Sequence, residues 1–315
     1  MLQKKIIVVF GATGAQGGGV AHAILNDKKS EFTVRAITRD TNSVKAKELA
    51  NMGAEVVAAD IDNKQSLKQA LEGAYGAYFV TFFFTHFSPE KEYGEAKNLA
   101  EAAKDAGLKH VIWSTLEDTR KWVPLDDDRM PTLLGKYKVP HFDAKGEADK
   151  IFIDLGVPTT FLRASFYWDN LISGNGPKKG PDGMLYITFP LDDKKMAGIA
   201  AEDIGKCAYG IFKRGEELLG KTIGVAGEHL TGQKMAEALS KALGQEVRYN
   251  NVTPETFRGF GFPGADDLGN MFQFYRDFAE VCNSVRDVKF SKELNPELKS
   301  FELWLSKNAQ RIPLG

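Results

Sequence analysis

The sequence predicts an α/β protein: a doubly wound parallel sheet followed by a smaller α/β lobe. Three observations predict it. The chain opens on an unbroken apolar run, Ile6-Ile7-Val8-Val9-Phe10, which reads as a strand buried on both faces. A glycine turn with G-x-x-G-x-x-G spacing (Gly11, Gly14, Gly17) follows at once and leads into residues of helical periodicity through Leu25. Strand-like and helix-like segments then alternate five times up to residue 114, as in a right-handed crossover sheet.

Strand, glycine turn and helix together make the phosphate-binding corner of a Rossmann dinucleotide fold. A side chain in the turn would keep the backbone away from a pyrophosphate, and the helix N-terminus offers it N–H groups and partial positive charge. A glycine triplet alone is weak evidence; its place directly after a buried strand and before a helix makes it specific.

The second strand, Phe32 to Thr38, ends at Arg39. That position meets the adenine ribose. A carboxylate there suits the 2′-hydroxyl of NAD, whereas a guanidinium grips a 2′-phosphate, so Arg39 with Thr41, Asn42 and Ser43 favours NADP. Asp40, one place late, reads as the cap of the helix from Lys45 to Met52. A third strand, Ala54 to Ala59, brings Asp60 toward the adenine amino group, and Asp62 or Asn63 caps the next helix. The fourth strand, Gly76 to Thr81, runs into Phe82-Phe83-Phe84, read as a wall of the crevice. After a helix from Glu92 to Ala106, His110 to Ser114 is the fifth strand. Leu116 to Pro140, with three prolines and Asp126-Asp127-Asp128, reads as a long irregular loop placed like a lid. A helix from His141 to Leu155 and a sixth strand, Thr159 to Arg163, complete the first domain, residues 1–165. Residues 166–315 form the smaller lobe, with strands at 184–189, 222–226 and 246–250 and helices at 203–214, 231–243, 254–260 and 265–278. The chain is expected to return to the first domain near 200–213.

At 315 residues the chain can bury a large core, and a net charge of −1 gives no case for nucleic acid or an anionic membrane as partner. Two distant cysteines, Cys207 and Cys282, suit a reducing compartment. The N-terminal apolar run is too short for a signal peptide and no run of about 18 apolar residues occurs, so a cytoplasmic location is expected. No set of side chains has metal-ligand spacing. Leu268, Met271, Phe272 and Tyr275 on the 265–278 helix read as core, with the face of a homodimer as the alternative.

Several stretches together resemble the NmrA-like proteins, an atypical branch of the short-chain dehydrogenase/reductase superfamily, and most of all their HSCARG-type, NADP(H)-binding members. They are Val9 to Gly18, Thr38-Arg39, His141-Phe142-Asp143-Ala144-Lys145-Gly146-Glu147, Phe166 to Leu171 and Gly261 to Leu268. The resemblance covers nearly the whole chain. It implies that Gly11, Ala12, Thr13, Gly14, Ala15 and Gln16, with Gly17 beside them, hold the pyrophosphate and that Arg39, Asp40, Thr41, Asn42 and Ser43 hold the 2′-phosphate. It puts Asp60 and Ile61 near adenine, and Thr81, Phe82 and Phe83 near the nicotinamide-side ribose. Lys145 bonds that ribose, and Tyr167, Trp168, Asp169 and Asn170 close over the nicotinamide end.

Reductases of the wider superfamily carry Tyr-x-x-x-Lys on this helix, with the tyrosine as proton donor. Here the spacing is kept but the pair is His141 and Lys145, one face of a helix at i and i+4. The absent tyrosine favours an NADP(H)-binding redox or cofactor sensor with little or no dehydrogenase activity and a regulatory protein partner. The alternative is an NADPH-dependent reductase of quinones or other carbonyl substrates, with His141 as general acid and Ser114 orienting the carbonyl.

Overall fold

A computed structural model describes residues 3–314. In chain order its elements are β1 (Lys5–Val9), α1 (Ala15–Asn26), β2 (Phe32–Thr38), α2 (Val44–Asn51), β3 (Glu55–Ala58), α3 (Lys64–Leu71), β4 (Gly76–Phe79), α4 (Pro89–Asp105), β5 (His110–Thr115), α5 (Pro140–Asp154) and β6 (Thr159–Arg163). Then come β7 (Phe166–Tyr167), β8 (Lys178–Lys179), β9 (Leu185–Phe189), β10 (Met196–Ile199), α6 (Ala201–Arg214), β11 (Thr222–Gly224), β12 (Glu228–Leu230), α7 (Gly232–Leu243) and β13 (Val247–Asn251). Helices α8 (Pro254–Arg258), α9 (Ala265–Asp277), α10 (Ala279–Ser284), α11 (Val288–Leu294) and α12 (Phe301–Asn308) close the chain.

Seven strands form one parallel sheet in the order β11-β6-β5-β4-β1-β2-β3. The order reverses beside β1, where Val9 lies between Ala36 of β2 and Tyr78 of β4. A crevice opens at the carboxyl ends of the strands at such a switch point. Polar caps fix where the helices start: Ser43 accepts from the Ala46 N–H, Asn63 from Ser66 and Ser88 from Lys91, with Pro89 at the first helical position. The cap of α2 is thus Ser43 and not Asp40, whose carboxylate instead accepts the Asn42 N–H in a local turn at 2.8 Å.

One core lies on each face of the sheet, and a third fills the C-terminal lobe. That third core contains Met271, Phe272 and Tyr275, with Leu268 packed against it. The α1–α6 contact is set by glycine. A Cβ on Gly205 would lie 2.2 Å from the Val20 nitrogen, and one on Gly19 would lie 2.6 Å from the Glu202 carbonyl. After residue 200 the chain contributes both α6, against α1, and β11, at the edge of the large sheet beside β6. Residues 201–224 therefore cross the division read at residue 165.

Strands of two to four residues (β7, β8, β10, β12) and the short helices α10 to α12 carry too little periodicity to be read from sequence. The 116–140 segment is irregular, as read, apart from a 3-10 turn at Thr119–Lys121 and a single antiparallel bridge between Leu133 and Tyr137, but it is pinned. Val123, Met130 and Val139 enter the lobe core. Asp143 accepts the Thr119, Lys138 and Val139 N–H groups, and Asn270 and Gln273 of α9 bond the carbonyls of Lys138 and Arg129. Among the described residues no helix is long and apolar enough to cross a membrane.

Candidate functional site

The turn after β1 is shaped by its glycines. Gly11 has φ +63, which a side chain tolerates poorly. A Cβ on Gly17 would sit 2.4 Å from the Gly11 carbonyl and 2.5 Å from that of Phe10. Gly14 begins α1 with no side-chain cap, so the first-turn N–H groups are left to an incoming anion. Gly11, Gly14 and Ala15 are exposed, Thr13 half-buried, and Ala12 and Gly17 buried.

At the β2 end Arg39 is exposed and makes no ion pair or hydrogen bond among the described residues. Thr41, Asn42 and Ser43 surround it on the turn into α2. Lys45, which the sequence reading missed, bonds the Thr13 carbonyl at 3.2 Å and so adds a second cation at this corner. Asp60 is exposed and accepts from the Asp62 N–H; Ile61 is half-buried, its carbonyl bonded by Asn98 of α4 at 3.1 Å. Bare turn, uncapped helix and unpaired guanidinium fit a dinucleotide bearing a 2′-phosphate. A groove of about 790 Å³ runs from Ala12, Thr13, Gly14 and Ala15 of the turn along α1, between α2 and α6.

Gln16 points inward. Its Oε1 accepts from Ser114 Oγ at 2.8 Å and from the Tyr78 hydroxyl, and its Nε2 donates to the Tyr167 hydroxyl. The side chain therefore ties the turn to β4, β5 and β7, leaving only its backbone N–H for a phosphate. Ser114 is 3% exposed and committed to Gln16. Burial pushes the Tyr167 phenol up to about 12 and the Tyr78 phenol higher still, so neither is a ready proton donor near neutrality.

Lys145, on α5, is buried and three acceptors surround its Nζ: Glu92 Oε1 at 2.5 Å, Thr81 Oγ1 at 2.6 Å and the Thr81 carbonyl at 3.3 Å. The ammonium also lies 5.2 Å from the Trp113 ring. One turn earlier, His141 Nδ1 meets Asp267 Oδ1 of α9 at 2.7 Å, and Asp267 Oδ2 accepts the His141 backbone N–H at 3.3 Å. Both side chains are buried, 5% and 6% exposed. A carboxylate can only accept, so Nδ1 carries a proton; Nε2 makes no hydrogen bond among the described residues. Phe83 and Phe84 pack on the imidazole at 6.0 and 5.0 Å, while Phe82 is 65% exposed at the rim.

The turn, Arg39, Thr81, Phe83, His141, Lys145 and Tyr167 are thus gathered around the carboxyl ends of the strands. Trp168 is not: its ring is 1% exposed and packs between Phe301 and Trp304. Asp169 accepts the Ala201 N–H that starts α6, at 2.8 Å, and Asn170 contributes its carbonyl to the turn through Asn175. Glu92 and Asp267, which complete the site, were missed. Glu92 carries no motif signal, and Asp267 lies in a stretch that marks the family without marking a role.

The model of the NmrA-like family matches residues 3–305. The chain belongs to the NmrA-like family. This NmrA-like chain is 29% identical to an NmrA-like family domain-containing oxidoreductase of Aspergillus flavus, lnbB, over 86% of the chain and 83% of that protein. It is 27% identical to an NmrA-like family domain-containing protein of Dictyostelium discoideum, over 96% of the chain and 98% of that protein. Among solved structures, NmrA, a negative transcriptional regulator crystallised with NAD, superposes with a TM-score of 0.79 at 25% identity, covering 97% of the NmrA-like chain and 95% of the regulator. The same regulator has been crystallised with NADP.

Proposed function

We propose that this NmrA-like chain is an NADP(H)-dependent oxidoreductase that reduces a carbonyl-type acceptor. The His141–Asp267 bond carries the reading. It stands four residues before Lys145, where the wider superfamily has its tyrosine, and supplies a proton-handling group to a site whose tyrosine is absent. Relatives named as oxidoreductases and a neighbour crystallised with NADP support it.

When bound, NADPH supplies the hydride. Everything else belongs to this chain. The glycine turn and the start of α1 receive the pyrophosphate, Arg39 the 2′-phosphate, and Lys145 the nicotinamide ribose. Asp267 holds the imidazole so that Nδ1–H faces the carboxylate and Nε2 is left for substrate. In the doubly protonated ring Nε2–H gives its proton to the acceptor oxygen as that oxygen gains negative charge, and solvent restores it. Ser114, held by Gln16, takes no part in orienting the carbonyl.

The likeness to a transcriptional regulator over nearly the whole chain favours a second reading, in which cofactor occupancy is sensed and passed to a partner. NADPH oxidation with a panel of aldehydes, ketones and quinones separates the two. Turnover should fall roughly 10²- to 10⁴-fold in His141→Ala and clearly in Asp267→Asn, with NADPH affinity kept. Tight NADPH binding with no turnover by the native chain returns it to the regulatory reading.

A further inference from the structure

Lys145 can serve the nicotinamide ribose only if its ammonium is held still. The side chain is 8% exposed, but its four-carbon stem is flexible and needs partners to fix it. What holds it here is Glu92 of α4, whose side chain is fully buried. Glu92 Oε1 receives both the Lys145 ammonium and the Thr81 hydroxyl, so side chains from α4, α5 and the segment after β4 meet at one oxygen. Its other oxygen faces His86 Nε2 at 3.3 Å. Burial pushes the Glu92 carboxyl up, but Lys145, Thr81 and His86 outweigh it and hold the group below its ordinary range, as an anion.

His86, Glu92 and Glu95 bring one donor atom each within 4.8 Å of one another, a grouping that also suggests a cation site. The hydrogen bonding argues otherwise. The Ser88 N–H donates to His86 Nδ1 at 3.0 Å, so Nδ1 keeps its lone pair and the proton sits on Nε2, the atom that would have to bind the metal. The ammonium 2.5 Å from Glu92 adds repulsion toward any cation. His86 Nε2 and Glu92 Oε2 make no hydrogen bond with each other, so the grip of Glu92 on Lys145 runs through Oε1.

We propose that Glu92 is the positioning residue of the nicotinamide end, fixing Lys145 for the ribose. The proposal rests on NADP(H) occupying the crevice and is independent of turnover. The test compares NADPH with 2′,5′-ADP, which carries the adenosine and 2′-phosphate but nothing for Lys145 to hold. Glu92→Gln should weaken NADPH roughly 10- to 100-fold and leave 2′,5′-ADP within about twofold, the range of one or two charge-assisted bonds. Glu92→Asp should recover part of the loss. In a Lys145→Met background, where Glu92 has no ammonium left to position, Glu92→Gln should cost no further NADPH affinity. Equal losses for both ligands would mean a purely structural role and overturn the proposal. So would an unchanged NADPH affinity, a loss that persists without Lys145, or calorimetric binding of Zn²⁺ alone that disappears in His86→Gln. A native chain that binds neither ligand overturns this and the cofactor reading together; one that binds NADPH without turning it over leaves this standing.

Discussion

We propose that cofactor choice turns on Arg39. It stands exposed at the end of β2 with no protein partner among the described residues, so its guanidinium is available to a 2′-phosphate at little reorganisation cost. Arg39→Ala should weaken NADPH roughly 10- to 100-fold and barely touch NADH, as read by fluorescence titration. Equal affinity of the native chain for both would show that Arg39 does not discriminate. This residue, the glycine turn and Lys145 were legible in the sequence because each sits at a fixed offset from a strand or helix end. Asp267 was not. It is 126 positions from His141, and only the packing of α9 against α5 brings them together. Glu92 was hidden for another reason: it looks like any acid in the first turn of a capped helix, and only its complete burial distinguishes it.

At the scale of elements, α4 carries a strained neighbour of the site. Glu95 lies one turn beyond Glu92, its side chain 12% exposed, and its carboxyl is pushed up to about 7 by burial and then by the charges of Glu92 and Asp62. A carboxyl raised in the folded state binds its proton more tightly there than in the unfolded chain. Its contribution is therefore present at low pH and lost as pH rises from about 4.5 through about 7. Glu95→Gln should accordingly raise stability at pH 8, by on the order of 1–3 kcal/mol, and change little at pH 5. Denaturant unfolding at the two pH values reads this; equal effects at both would contradict it. The long elements of the first domain were legible because period-2 and period-3.6 patterns run for five residues or more between glycine and polar caps. The 116–140 segment was legible as irregular but not as anchored, because its apolar anchors are isolated and its polar ties, Asp143, Asn270 and Gln273, lie outside it.

For the whole molecule, the site is a product of both lobes. The segments after β1, β2 and β4 provide the turn, Arg39 and Thr81; α4 and α5 provide Glu92, His141 and Lys145; the C-terminal lobe provides Asp267. A buried ion pair ties the lobes behind the site, with Glu117 after β5 accepting two bonds from Arg286 at 2.6 and 2.9 Å. Removing either partner would leave an uncompensated buried charge, so the position of Asp267 over α5 is held by more than its own bond. A proton-handling dyad assembled across two lobes is the central claim, and isotope transfer tests it most directly. NADPH deuterated at C4 is incubated with the native chain and a mixture of carbonyl acceptors, and the products are weighed by mass spectrometry. Deuterium should appear on the former carbonyl carbon, with its yield collapsing in His141→Ala and falling in Asp267→Asn. Products free of deuterium, or the same yield from the native chain and His141→Ala, would contradict the claim.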